Sequence, residues 1–184
     1  RKAGAVIVRP APVAPPKPKP KQQSYPGFAT NVTPTESALR RVDLALANTD
    51  DRIRRGKGTS PGFLFATLLW HEVLAHWEKL KAKGEPKIPA LYTAMDTVLD
   101  VQGEKLAITR RIAGDIKDIW ALQPRFEQRA GKRPYALLEQ PRFRAGYDFL
   151  LLREDAGEDL DGLGDWWTDY QDASDSERRT MIRD

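Results

Sequence analysis

From Glu36 onward the apolar residues of this 184-residue chain recur at helical spacing, and nowhere do four or more residues alternate as a half-buried strand would. That pattern restricts the fold class to all-α before any other property is weighed. Leu39, Val42, Leu46, Thr49 and Ile53 mark an amphipathic helix that ends near Gly56 and Gly58. Ser60 followed by Pro61 has the form of an N-cap with proline at the first helical position. The helix it opens, through about Lys83, is apolar nearly all round at first (Phe63, Leu64, Phe65, Leu68, Leu69, Trp70) and then one-sided (Val73, Leu74, Trp77, Leu80), as a central core helix should be. Pro89 starts a helix with Leu91, Met95, Val98 and Leu99 on one face. Thr109 caps another that carries Ile112, Ile116, Ile119 and Trp120, and Pro124 should end or kink it. Shorter helices from Pro134 to Gln140 and from Pro141 to about Arg153 precede a Trp-rich one from about Leu160 to Tyr170. Ser174 and Glu177 have capping-box spacing. The expected architecture is an all-α helical bundle over residues 36–172 with a short C-terminal turn and tail over 173–184.

Residues 1–35 are of another kind. They hold eight of the fourteen prolines, interleaved with Lys17, Lys19 and Lys21. Proline fixes φ and removes donors, so this extended basic arm is either a polyproline II spacer able to track phosphates or a protein groove, or a disordered linker. The chain does not begin with Met, and Arg1 and Lys2 suit the remnant of a basic targeting segment as well as the edge of an excised piece.

With no Cys, disulfide scaffolds, thiol nucleophiles and Cys-ligated metal sites are excluded. The longest near-continuous apolar run, Phe63 to Trp70, is far short of the roughly 20 residues a spanning helix needs, so no membrane partner is expected. The net charge of +4 conceals a strong polarity. Residues 1–60 carry 12 Lys/Arg against 4 Asp/Glu, residues 61–146 carry 14 against 10, and residues 147–184 carry 4 against 12. A chain so divided faces a polyanion with its basic part and solvent or a basic protein with its acidic end.

Several constellations fail as chemistry. His71 and His76 are five residues apart, about 140° around a helix, and cannot share a metal as zincin histidines do; half-exposed positions flanking the core stripe are expected instead. Arg55-Gly56-Lys57-Gly58-Thr59 lacks the spacing and the preceding strand of a phosphate loop and suits a helix C-cap. Asp159, Asp161 and Asp165 lack the closing bidentate Glu of a calcium loop and suit an acidic solvated turn. No sheet edge is available for the paired carboxylates of metal-dependent nucleotidyl transfer. No catalytic residue, metal or cofactor is therefore assigned, and the chain alone is not expected to be an enzyme.

The informative stretch is Lys105 to Arg144, with ten cations against Asp115, Asp118, Glu127 and Glu139. On the helix after Thr109, Arg110, Gly114, Lys117 and Ala121 fall on one side, opposite Ile112, Ile116 and Ile119, where small residues between cations admit a phosphate backbone. Arg111, four residues before Asp115, has the spacing of an intrahelical ion pair. The segment bounded by Pro124 and Pro134 should present Arg125, Arg129, Lys132 and Arg133 on a loop, and Arg142 and Arg144 follow. The candidate nucleic-acid-binding residues are thus Lys17, Lys19, Lys21, Arg110, Lys117, Arg125, Arg129, Lys132, Arg133, Arg142 and Arg144. Trp70, Trp77 and Trp120 lie on apolar faces and belong to the core, whereas Trp166-Trp167 must leave one ring turned outward.

The order of blocks resembles the neck and body of bacterial poly(A) polymerases, class II nucleotidyltransferases related to CCA-adding enzymes. Ala47-Asn48-Thr49-Asp50-Asp51-Arg52-Ile53 and Ser60-Pro61-Gly62-Phe63-Leu64-Phe65-Ala66 running into Leu69-Trp70 are similar to the neck. Leu106-Ala107-Ile108-Thr109-Arg110-Arg111, Asp118-Ile119-Trp120-Ala121-Leu122-Gln123, Gly131-Lys132-Arg133 and the run from Leu138 to Leu150 are similar to the body, as is Trp166-Trp167. The resemblance covers about 130 residues and implies an all-helical body that helps hold the RNA whose 3′ end is extended. The family's catalytic head, with its Gly-Ser turn and paired aspartates, should precede the neck, where the Lys/Pro arm stands. The expectation is a head-less, non-catalytic RNA-binding subunit of a ribonucleoprotein, with the mitochondrial ribosome as the guess. Its arm and cations would hold rRNA, its acidic end would meet neighbouring proteins of a large assembly, and its localisation would be mitochondrial. The alternative is the neck and body of an active poly(A) polymerase, in bacterial cytoplasm, with its head lost or supplied by another chain.

Overall fold

The computed structural model describes residues 35–58 and 60–183, so Lys17, Lys19 and Lys21 and the arm they belong to lie outside the described residues. The described residues form eight helices and no strand, as the spacing of the apolar residues requires. They are α1 (Glu36–Arg54), α2 (Pro61–Ala82), α3 (Lys87–Lys105), α4 (Arg110–Phe126), α5 (Arg133–Leu138), α6 (Phe143–Asp155), α7 (Leu163–Asp172) and α8 (Asp175–Arg183). Three helix starts are set by hydroxyls that accept an otherwise unpaired N–H of the first turn. Thr35 accepts from Ala38 at 3.1 Å, Ser60 from Phe63 at 3.4 Å and Thr109 from Ile112 at 3.3 Å. Ser174 and Glu177 form the reciprocal box, with the Ser174 N–H on Glu177 Oε2 at 2.7 Å, and it opens a nine-residue helix rather than a single turn. Pro124 does not stop α4 where it stands: the helix runs two residues further, because a proline so near the end forfeits one ladder bond only and its ring is buried.

Two aromatic-rich cores result. The first gathers Trp70, Val73, Leu91, Met95, Val98, Ile116, Trp120 and Phe149 from α2, α3, α4 and α6. Trp70 meets Phe149 edge to face at 5.5 Å, and Trp120 donates its indole N–H to the Ala66 carbonyl at 3.1 Å. Trp70, Trp77 and Trp120 are all buried, as their helical positions demand. The second core holds Leu122, Phe126, Leu137, Phe143, Tyr147, Leu150, Trp167 and Tyr170, with Met181 and Ile182 of α8 packed on it. Trp167 donates to the Phe126 carbonyl at 2.9 Å, supplying a partner to one of the last carbonyls of α4. The outward ring of the Trp pair is Trp166, stacked on Tyr170 at 4.8 Å.

The helices approach closely where glycine allows it. A Cβ on Gly62 of α2 would lie 2.8 Å from the Asp115 Cβ of α4, and one on Gly146 of α6 would lie 2.7 Å from Leu122 Cδ1. Those two close approaches hold α4 between α2 and α6, with Ile116, Ile119 and Trp120 in one core and Leu122 and Phe126 in the other.

Two sequence expectations are corrected. In α1 the large apolar residues face away from the body: Leu39, Leu46 and Ile53 are 55%, 49% and 59% exposed, while Ala38, Arg41 and Ala45 are buried. The helix docks by small side chains and one guanidinium, and Arg41 Nη1 donates to Glu158 Oε1 at 2.5 Å. Glu158 also receives Arg153 Nε at 2.8 Å and Trp70 Nε1 at 3.2 Å, so one residue of the supposedly solvated acidic turn joins α1, α2 and α6. The second correction is His76, which is buried rather than half-exposed. Burial, and secondarily the charge of Lys79, holds its imidazole below the ordinary histidine pKa.

Candidate nucleic-acid interface

The inner face of α4 is spent on the two cores, which leaves its outer face for other work. Counting 100° per residue, Arg110, Gly114, Lys117, Ala121 and Arg125 fall within an arc of about 80°, and Ile112, Ile116 and Ile119 lie opposite. Arg110 and Arg125 stand roughly 22 Å apart along the axis with Lys117 between them. Gly114 is exposed, and a Cβ there would meet nothing within 4 Å, so the space above the backbone is open. Lys117 is ion-paired with Asp96 of α3, but both side chains are well exposed, and such pairs are worth about 0–1 kcal/mol, little enough for a phosphate to take the lysine over.

The other candidates divide by whether a carboxylate already holds them. Arg129 reaches Asp161 at 3.5 Å and lies 6.0 Å from the Trp166 ring, and Arg144 pairs with Asp148 at 2.9 Å. Arg142 pairs with Asp115. This corrects the expected Arg111–Asp115 pair: Asp115 is held against Gly62 and turned to the start of α6, and local spacing loses to tertiary placement. Arg110, Arg125, Lys132 and Arg133 form no ion pair among the described residues. Arg125 belongs to the last turn of α4 and Arg133 opens α5, so the expected four-cation loop is in fact two helix ends with Arg129 and Lys132 between them.

One concavity adjoins this surface. A cleft of about 400 Å³ opens between α3, α4 and the turn before α6, with Arg125 and Arg142 on its wall together with Asp118, Gln140 and Tyr92. Tyr92, 48% exposed, was not among the sequence candidates: a lone aromatic on the outer side of α3 carries no periodic signal. His71 keeps to its own helix, its Nδ1 3.0 Å from the Leu68 carbonyl oxygen. Among the described residues no group of three or more His, Asp or Glu is placed to hold a metal.

Comparison with known proteins gives this surface a context. The family described as Polymerase A arginine-rich C-terminus matches residues 83–184, which takes in every described candidate cation. Poly(A) polymerase I of Salmonella typhi is 37% identical over 153 residues, 81% of this chain and 33% of the relative. Poly(A) polymerase I of Escherichia coli O157:H7 is 36% identical over 148 residues, 79% of this chain and 32% of the relative. The Haemophilus influenzae protein of the same name is 33% identical over 168 residues, 89% of this chain and 37% of the relative. The chain thus spans about a third of the length of the relatives it matches. All three are bacterial, which overturns the mitochondrial placement inferred from the basic N-terminus and points to the bacterial alternative.

Proposed function

Because the chain belongs to the poly(A) polymerase family, through its arginine-rich C-terminal region, we propose that it is the RNA-holding neck and body of a bacterial enzyme that adenylates RNA 3′ ends. The observation that carries this reading is the outer face of α4, where Arg110, Lys117 and Arg125 line one side of a helix whose other side is locked into two cores. Cations spaced along a rigid element, with a bare Gly114 between them, suit a phosphate backbone, and they position a strand without selecting its sequence. The chain spans about a third of the length of its relatives, and the catalytic step is assigned in this reading to a head in the part they have beyond it. The exposed stripe of Leu39, Leu46 and Ile53 on α1 is the kind of apolar face that another part of a longer protein covers, which also favours this reading over a free-standing ribosomal subunit.

The test is fluorescence anisotropy with a labelled single-stranded RNA over a range of salt concentrations. The unmodified chain should bind with a steep salt dependence. Arg110→Glu with Lys117→Glu should weaken binding and reduce the log–log salt slope by about 1.4, because each phosphate neutralised on a single strand accounts for about 0.7 of that slope. Unchanged affinity and slope in a variant with an unchanged melting temperature would refute the assignment.

A further inference from the structure

We propose that the cleft between α3, α4 and the turn before α6 is a subsite for one unpaired nucleotide, its base laid on Tyr92 and its phosphate held by Arg125 and Arg142. The inference rests on the RNA-holding reading and adds to it what the cation ridge alone does not supply, a place where a base is gripped.

The chemistry of the walls separates the two ends of a nucleotide. Tyr92 leaves nearly half its surface exposed beside the cleft, an apolar ring with no core to fill. Such a ring is a stacking platform, and stacking tolerates any base because every base has a π-face. Arg125 is half-buried at the wall and forms no ion pair among the described residues. Arg142 gives one edge of its guanidinium to Asp115, and a guanidinium has five donors, so others stay available. Two guanidiniums converging on one small volume form a phosphate clamp.

Of the remaining polar groups, Asp118 alone is purely an acceptor. Gln140 gives one N–H of its amide to the Ala136 carbonyl at 3.2 Å and keeps a second donor beside its Oε1 acceptor. Asp118 is exposed and in no ion pair among the described residues. Its carboxylate repels a phosphate and accepts from an amine, so it fixes which end of the nucleotide lies toward it. The carboxylate at the base edge favours the exocyclic amino group of adenine, cytosine or guanine over uracil, whose one edge donor, N3–H, sits between two carbonyl oxygens that a carboxylate repels. The volume of about 400 Å³ lies at the lower end of small-molecule sites, enough for one base with its phosphate and too narrow for a base pair.

The experiment measures binding of the full chain to oligo(A), oligo(C) and oligo(U) of equal length and to an RNA duplex. Tyr92→Ala should lose at least about fivefold in affinity for oligo(A) with the salt slope unchanged, because stacking carries no counterions. Tyr92→Phe, which keeps the ring, should recover most of that loss, and duplex binding should not move. Asp118→Ala should narrow the preference for oligo(A) and oligo(C) over oligo(U). Tyr92→Ala binding oligo(A) within twofold of the unmodified chain would overturn the subsite while leaving the cation ridge standing. Failure of the unmodified chain to bind any strand would overturn both.

Discussion

Replacing Glu158 by Gln should cost more stability than any single surface substitution, although the residue lies in an acidic turn between helices. Its side chain is 16% exposed and accepts from Arg41 Nη1 at 2.5 Å, Arg153 Nε and Nη2 each at 2.8 Å and Trp70 Nε1 at 3.2 Å. The two guanidiniums share this one counter-charge, and Arg41 is 1% exposed. Burial pushes the Arg41 pKa down, the Glu158 charge pulls it up, and the Arg153 charge pushes it down again. Glutamine has nearly the same shape, keeps one accepting oxygen and turns an NH₂ toward a donor. The variant therefore loses a charge-assisted hydrogen bond and leaves two buried cations facing each other. Breaking a buried pair from one side costs about 3–5 kcal/mol. For a chain of this length that lowers the melting temperature by roughly 6–20 °C. Urea unfolding followed by tryptophan fluorescence and by circular dichroism would measure the loss, with an unchanged m value showing that the denatured state is the same. A second change sharpens the test: Arg41→Met added to Glu158→Gln removes one stranded cation and should restore part of the loss. A loss under about 1 kcal/mol in the single variant, or a double variant less stable than the single, would refute the account of the network.

Gly62→Ala should destabilise by about 1–3 kcal/mol, because the new methyl would lie 2.8 Å from the Asp115 Cβ, which no rotamer can move away. The same change should disturb the Arg142–Asp115 pair and weaken binding of single-stranded RNA, and a thermal melt with an anisotropy titration would read both effects. Stability should also fall as pH drops from 7 to 5.5. The His76 imidazole is held below its ordinary 6.5 in the fold, so the unfolded chain takes up the proton first. The contribution is therefore complete above about pH 6.5 and is lost as pH falls toward the folded value. Melting temperatures across that range should show the decline in the parent chain and a smaller one in His76→Gln; identical slopes would refute it.

The buried half of the molecule was readable because core residues announce themselves by spacing. Trp70, Leu91, Met95, Ile116 and Trp120 recur at three and four along long helices, and all are buried. The errors share a physical cause. The apolar stripe of α1 gave the right element and the wrong face, since a hydrophobicity pattern does not register that Ala38, Ala45 and one paired guanidinium can dock a helix. Glu158 was hidden among carboxylates that are mostly solvated, and only the fold shows which of them meets two arginines. Arg111 and Asp115 had ion-pair spacing, but the partner that Asp115 takes is 27 residues away. Tyr92 belongs to no pattern and gains meaning only from the arginines brought beside it.

Helix α4 explains why stability and RNA binding should be separable in this chain. Its inner residues join both cores, so a change at Trp120 or Phe126 strikes the whole fold and says nothing about a ligand. Its outer cations contribute little to stability, since exposed pairs such as Lys117–Asp96 are worth at most about 1 kcal/mol and Arg110 and Arg125 have no pair to lose among the described residues. Charge reversals there leave a folded protein in which any loss of affinity is a property of the surface. A core that grips one side of a helix thus frees the other to carry a row of like charges, because its packing outweighs the modest mutual repulsion of cations roughly 11 Å apart in water.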